Sequence, residues 1–379
     1  MNIWDESFFD ELLEALEEIL QEQERDVIAV ICRRLKAVGE LNPTSAKQMA
    51  RLAQYQNADL KEIRKIIKKA TKLSEAEIER VFEKAAQSSK EYADTLAQQA
   101  AGVSYAGNVE ALAAAAAKRY KESFLNLSDT YAFKTNGQTL TIRQQYVKSV
   151  NKAVASVSTG TMDYHTAIRQ TVKEMSNSGL RVRPKTGEQI VEWESGYTRR
   201  LDSSVRMNVL EGARQLSQEI LNDAGTQFAT GWEISAHDRP APDHATIQGR
   251  QYTRAEYETL NASLKRPIGT LNCMHIAFPI IYGVTKPTYT DKQLADMQAN
   301  ANREYEWQGK KYTGYECTQK QRQYETAIRR ARDLQRYAKE AGDSLLEKQQ
   351  KRRVRELTAQ YKEFSESVGL SVKLSRTRI

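Results

Sequence analysis

Histidine and cysteine are the scarcest reactive side chains in this 379-residue chain, with four histidines and three cysteines in all. Cys32, Cys273 and Cys317 are odd in number and far apart, which argues against a disulfide framework and points to a reducing compartment. Proline is rare at 7 residues and glycine stands at 18, so long helices are expected rather than a loop-rich β-protein. No apolar run approaches the length needed to cross a bilayer, and no membrane partner is expected. The opening MNIWDESFFDELLEALEEIL lacks the basic start of a secretory signal, so a soluble, unexported protein is expected. Phosphate-cradling glycine loops, zincin histidine pairs and nucleophile motifs are missing too, which disfavours the enzyme classes built on them.

What is present is unevenly spread. Residues 1–24 carry nine acidic side chains and no basic one. Residues 303–379 carry 19 Lys and Arg against 11 Asp and Glu, an excess equal to the +8 of the whole chain. Such a gradient implies different partners at the two ends.

Helical periodicity dominates. Phe9, Leu12, Leu13, Leu16, Ile19 and Leu20 form a stripe within a helical region over 5–38, with a solvated acidic face opposite. Asn42-Pro43-Thr44 reads as a turn, and Ser74-Glu75-Ala76-Glu77 as a capping box, predicting short helices and turns packed together over 44–71 and 75–100. The alanine run at 111–117 lies in a helix over 108–128. Asn136-Gly137 marks a turn, with helices over 140–158 and 163–178; His165 in the latter is given no role. Pro184 and Gly187 mark loops, and Ile190-Val191 with Trp193 suggests a short strand. A helix over 198–223 follows, with Leu201, Val205, Val209, Ala213, Leu216 and Leu221 near one face. In the C-terminal region Tyr324, Ile328, Ala331, Leu334, Ala338 and Ala341 give an apolar stripe. No period of 20–50 residues recurs, so a solenoid is not expected.

The chemistry concentrates between Trp232 and Tyr282. His237, His244, Cys273 and His275 all fall there, bracketed by strand-like Trp232–Ile234 and Ile276–Ile281. Pro240 and Pro242 forbid a regular helix between the first two histidines, so that segment must be a loop. Cys273 and His275, if in a strand, point to one face because the side-chain period is two. Two donors from a loop and two from a strand make the nitrogen and sulfur set that zinc prefers, here as a structural staple. The competing reading is a small β-core in which the histidines bond to backbone and Cys273 is simply buried. A third is a metal-dependent nuclease using His237, His244 and His275, with Asp238 and Asp243 beside them. Gln248-Gly249-Arg250 reads as a tight turn. In the tail, Arg329, Arg330, Arg332, Lys351, Arg352 and Arg353 are candidate phosphate contacts for nonspecific DNA binding, and Tyr305, Trp307, Tyr312, Tyr315 and Tyr324 could stack on bases. A solvated helix face with aromatics in a local core is the alternative.

The run SAHDRPAPDHATIQGRQY, then NCMH, TQKQRQYETAIRRARD and YKEFSESVGL, resembles tailed-bacteriophage minor capsid proteins of the head-morphogenesis group. NLSDTYAF at 126–133, the Ser-Thr-Gly turn near 160 followed by YHTAIRQTV, and SVRMNVLEGARQL at 204–216 extend the likeness to roughly 120–370. Met274 departs from the family, which usually has a basic residue there, and HDRPAPDH replaces a Gly-Ala-Arg-Pro run with the histidine spacing kept. The resemblance implies a low-copy, non-enzymatic virion component, assembled in the host cytoplasm. Its implied partners are the portal protein, other capsid components and packaged double-stranded DNA, contacted at the portal vertex inside the head.

The expected fold is α+β and predominantly α-helical, with long helices flanking a small central β-containing module. Its expected divisions are an acidic-start helical region over 1–105, a helical scaffold over 106–225, the His/Cys module over 226–290 and a basic helical C-terminal region over 291–379.

Overall fold

The computed structural model describes residues 6–39, 46–128, 131–135, 137–159, 164–181, 185–186, 189–190, 200–226, 228–270, 273 and 275–377. Among them are ten α-helices and four small antiparallel sheets, a predominantly α-helical α+β fold as the composition predicts. The turn at Asn42-Pro43-Thr44, Asn136, Gly160, Pro184, Gly187, Val191, Trp193, Met274 and the His165 side chain lie outside the described residues.

Helix α1 (Glu6–Gly39) forms on the predicted stripe: Phe9, Leu12, Leu13, Leu16 and Leu20 are buried, and Glu11, Glu14 and Glu18 are exposed. The solvated acidic face does not extend to Glu24, which is buried. Helix α2 (Ala46–Ala101) corrects the expectation of short helices and turns, because it runs unbroken for 56 residues. Ser74 lies inside it with its hydroxyl buried and without a hydrogen-bond partner. The stretch contains no proline or glycine, so nothing makes the chain leave the helix before Ser74, and propagation wins over a new start.

The chain forms two compact units, each assembled from three separated stretches. The first comprises Met1–Leu16, Glu75–Glu122 and Val205–Lys320. Here the alanine-rich α3 (Val109–Ser128) buries Val109, Ala113, Ala116 and Ala117 at helical spacing, and the Tyr120 ring stacks on Phe82 of α2. The same unit contains most of α6 (Leu201–Gly225) and a three-stranded sheet, described below with the site.

The second unit comprises Glu17–Ser74, Ser123–Ser204 and Gln321–Ile379. It holds the hairpin of β1 (Ala132–Thr135) and β2 (Gln138–Thr141), which the sequence signalled only through its turn; Gly137 there has φ 75°. Helices α4 (Ile142–Thr159) and α5 (Tyr164–Ser178) follow, then the two-residue strands β3 (Lys185–Thr186) and β4 (Gln189–Ile190). Polar groups are tied together inside this unit. Asp59 accepts from Arg34 at 2.6 and 2.8 Å and from the Tyr146 hydroxyl at 2.5 Å. Glu24 accepts from the Leu180 N–H at 2.8 Å and pairs with Arg200.

Helix α9 (Gly314–Glu340) buries Tyr324, Ile328, Ala331 and Ala338 along its stripe, and Ala341 just after it is buried too. Asp343 caps α10 (Ser344–Ser367) by accepting from the Leu346 N–H at 3.0 Å. No helix among the described residues is long and apolar enough to cross a membrane.

Candidate functional site

The site is built on the sheet of the first unit, ordered β6-β5-β7. Strand β5 (Gly231–Ile234) is central and buried throughout, with Trp232 opposite Tyr252 of β6 (Gln251–Thr253) and Pro279 of β7 (Ala277–Ile280). Pro279 is tolerated because β7 is an edge strand, which needs no donor on its outer side. Between β5 and β6 runs the proline-containing loop. Its ends are held where the Gly249 N–H donates to Ile234 O at 2.8 Å and the Ile234 N–H to Arg250 O at 3.1 Å. Gly249 has φ 68°, the left-handed conformation that favours glycine in the tight turn at Gln248-Gly249-Arg250, and a Cβ there would meet the flexible end of Leu294, at Cδ2, at 2.2 Å.

Within the loop the Gln248 N–H bonds to His244 O at 3.1 Å, a single helical turn that sets the two side chains on one face. Cys273 and His275 approach at the same end of the sheet, where Ala277 at the start of β7 pairs with Ile234 at the end of β5. They precede β7 rather than lying in it, which corrects the strand expectation. The Cys273 N–H donates to Thr270 O at 2.8 Å, and the His275 N–H faces Cys273 Sγ at 3.4 Å, so a turn at the sulfur, not a pleat, aligns the pair.

Three of the four sequence-predicted donors converge. His244 Nδ1 lies 3.3 Å from His275 Nδ1, and Cys273 Sγ lies 3.4 Å from the former and 3.5 Å from the latter. All three residues are buried, at 0%, 1% and 2% exposure for His244, Cys273 and His275, which puts the group behind the surface rather than on it. His237 does not join them. Its ring stacks on that of His275, centroids 4.6 Å apart and planes tilted 32°, with Nδ1 against Asp238 O at 3.0 Å. Ile234, Ile247, Ile268 and Cys273 make the apolar floor beneath.

Partners without a clear mark in the sequence orient the cluster. Gln248 Oε1 takes the His275 Nε2–H at 2.9 Å and the His237 backbone N–H at 3.2 Å, while its amide nitrogen donates to His237 O at 3.3 Å. His244 Nε2 meets Arg266 O at 2.8 Å. Arg214 of α6, itself buried, donates to Cys273 O and lies over the Phe9 ring. Gln248 carried a local signal, four residues after His244; Arg214, 59 residues from Cys273, carried none.

Electrostatics follow from burial and crowding. Burial opposes a charged His244, yet the hydrogen bond and charge of Cys273 hold its pKa above the ordinary histidine value. Burial likewise opposes the Cys273 thiolate, but His244 and the Gly269 and His275 amides bring its pKa below the usual thiol value. His275 is pushed well below the ordinary range, by burial first and then by His237, His244, Arg266 and Arg214. The two flanking carboxylates bond to side chains outside the cluster, although Asp243 Oδ2 also lies 3.8 Å from His244 Nε2. Asp238 accepts from Asn300 at 3.0 Å, and Asp243 from Arg266 at 2.8 Å.

The candidate phosphate contacts lie in the second unit. Lys351, Arg352 and Arg353 are exposed on α10 and Arg330 on α9, whereas Arg329 and Arg332 are half-buried. Arg329 donates to Arg376 O at 2.7 Å, and Arg352 pairs with Glu356 at 2.7 Å. Tyr324 is buried against Phe364, ring centroids 5.6 Å apart, which removes it from the candidate base-stacking set.

The family model described as phage minor capsid protein 2 matches residues 5–366. No curated protein and no solved structure matches the chain.

Proposed function

The chain belongs to the phage minor capsid protein 2 family, and from that premise we propose that it works at the portal vertex, inside the head, between the portal protein and packaged DNA. Membership makes it a structural component of the virion whose partners are other head components. The carrying observation is that the family match takes in residues 5–366, nearly the whole of the sequence. The finer placement draws support from charge. Lys348, Lys351, Arg352, Arg353, Arg355 and Lys362 are exposed on α10, a surface that suits a phosphate backbone. Glu11, Glu14 and Glu18 expose the opposite sign near the start.

Cross-linking mass spectrometry on intact virions tests this placement. Cross-links to the portal protein are expected; cross-links confined to proteins of the outer head would sink it.

A metal-dependent nuclease is the second reading, favoured by the gathering of three metal-capable donors. Their burial speaks against it, since a phosphodiester needs an open path to the ion. Plasmid nicking that is lost with chelator and lost in His244→Ala would establish that activity and displace a purely structural role.

A further inference from the structure

We propose that His244 Nδ1, His275 Nδ1 and Cys273 Sγ bind one zinc ion. The hydrogen bonds around the two rings fix which nitrogens can be ligands. A carbonyl oxygen only accepts, so His244 Nε2, 2.8 Å from Arg266 O, carries the hydrogen. The Gln248 amide is oriented by two hydrogen bonds to the His237 backbone, accepting from its N–H and donating to its carbonyl, so its oxygen is what His275 Nε2 meets at 2.9 Å, and that nitrogen also carries a hydrogen. In the neutral form that binds a metal, each ring therefore directs a lone pair from Nδ1 towards the other and towards the sulfur. Metal-binding histidines are held in this way, with the outer N–H on an oxygen that fixes tautomer and ring orientation.

Two lone pairs and a sulfur that face one another in a buried place need protons or a cation between them. A single proton would join only two of the three. The distances favour an ion that joins all three. With Zn–N of about 2.05 Å and Zn–S of about 2.3 Å, tetrahedral angles give a nitrogen–nitrogen edge of about 3.3 Å and nitrogen–sulfur edges of about 3.6 Å. The observed edges are 3.3, 3.4 and 3.5 Å. A nitrogen–nitrogen separation of 3.3 Å is, in contrast, long for a hydrogen bond.

His237 is not a ligand in this arrangement. Its ring packs against that of His275 with planes tilted by 32°, and it is not among the donors whose ligand atoms lie within 4.8 Å of one another. The zinc joins the turn that carries His244 to the segment before β7, and its binding free energy adds to folding of this unit. The assignment does not depend on where in the head the protein works.

The test is metal analysis of the full-length chain after exposure to zinc and removal of the excess. About one zinc per chain is expected, retained by His237→Ala and lost in Cys273→Ser and His244→Ala. Cobalt in its place is expected to show a thiolate-to-metal charge-transfer band in the near ultraviolet. Because ligand variants can fail to fold, the wild-type chain is also titrated with chelator, where a fall in Tm reversed by added zinc is expected. A folded wild-type chain that takes up no zinc, or a Cys273→Ser chain that keeps it, would overturn the proposal. Zinc lost from a folded His237→Ala chain would overturn the three-ligand assignment.

Discussion

Gln248 holds the His275 ring through the same side-chain oxygen that accepts the His237 backbone N–H, at 2.9 and 3.2 Å. One amide thus serves a ring on the far side of the loop and the backbone where the loop begins. Replacing it by leucine, of similar volume, leaves both N–H groups unpaired in a buried place. Gln248→Leu is expected to lower unfolding free energy by about 2 kcal/mol, from the desolvation cost of unmade bonds. Urea denaturation checks this, and an unchanged midpoint would mean the amide is not a structural clasp.

Gly249→Ala separates two effects. The left-handed backbone costs a non-glycine residue about 1 kcal/mol whatever the space around it. The contact with Leu294 Cδ2 is with the flexible end of a side chain and can be relieved. Leu294→Ala is therefore expected to relieve part of the Gly249→Ala loss and to leave the backbone cost. A double-mutant cycle measures the division, and complete rescue would show that the backbone at 249 carries no strain.

Glu24 should make stability depend on pH. Burial, with help from Asp202 and Asp333, raises its carboxyl to about 7 against the opposing pull of Arg200 and the Leu180 amide. In the unfolded chain it titrates near the ordinary 4.5. Between these values the folded protein holds a proton that the unfolded chain has released. The contribution of this group to stability is therefore greatest below about 4.5, falls as pH rises through the window, and changes no further above about 7. The full effect is about 3 kcal/mol. Glu24→Gln should flatten that part of the profile, and a profile unaltered by the substitution would contradict the assignment.

The α10 stripe should govern any DNA affinity through salt. Reversing Lys348, Lys351, Arg352 and Arg355 to glutamate is expected to weaken binding to any duplex sequence alike. The log–log salt slope should shrink by up to about 4, roughly one for each phosphate no longer neutralised. A slope unmoved by the four changes would place DNA binding on another surface or remove it.

Helix, loop and scarce-residue signals were legible because they are local. The α1 and α6 stripes, the proline-imposed loop and the glycine turn at 249 follow from spacing alone. The capping boxes show where local patterns mislead. Thr253-Arg254-Ala255-Glu256 caps α7 (Arg254–Ser263), and Thr290 with Gln293 caps α8 (Asp291–Asn302), although neither stands out in the sequence. Ser74-Glu75-Ala76-Glu77, the box that does stand out, lies inside a continuous helix. A cap works only where the preceding chain has left the helix, as it has after β6. Before Ser74 it has not.

By itself the sequence determined that the chain would be mostly helical and that the scarce, metal-capable His237, His244, Cys273 and His275 fall in one stretch beside short strands. Periodicity and residue scarcity are one-dimensional properties, and they survive folding. Tertiary structure alone decided that His244, His275 and Cys273 converge while His237 stacks aside. That outcome depends on Arg266, Gln248 and Arg214 fixing ring planes and a carbonyl from 22, 27 and 59 residues away. It likewise decided that each compact unit is assembled from three separated stretches, because packing follows which apolar faces meet and not their order along the chain.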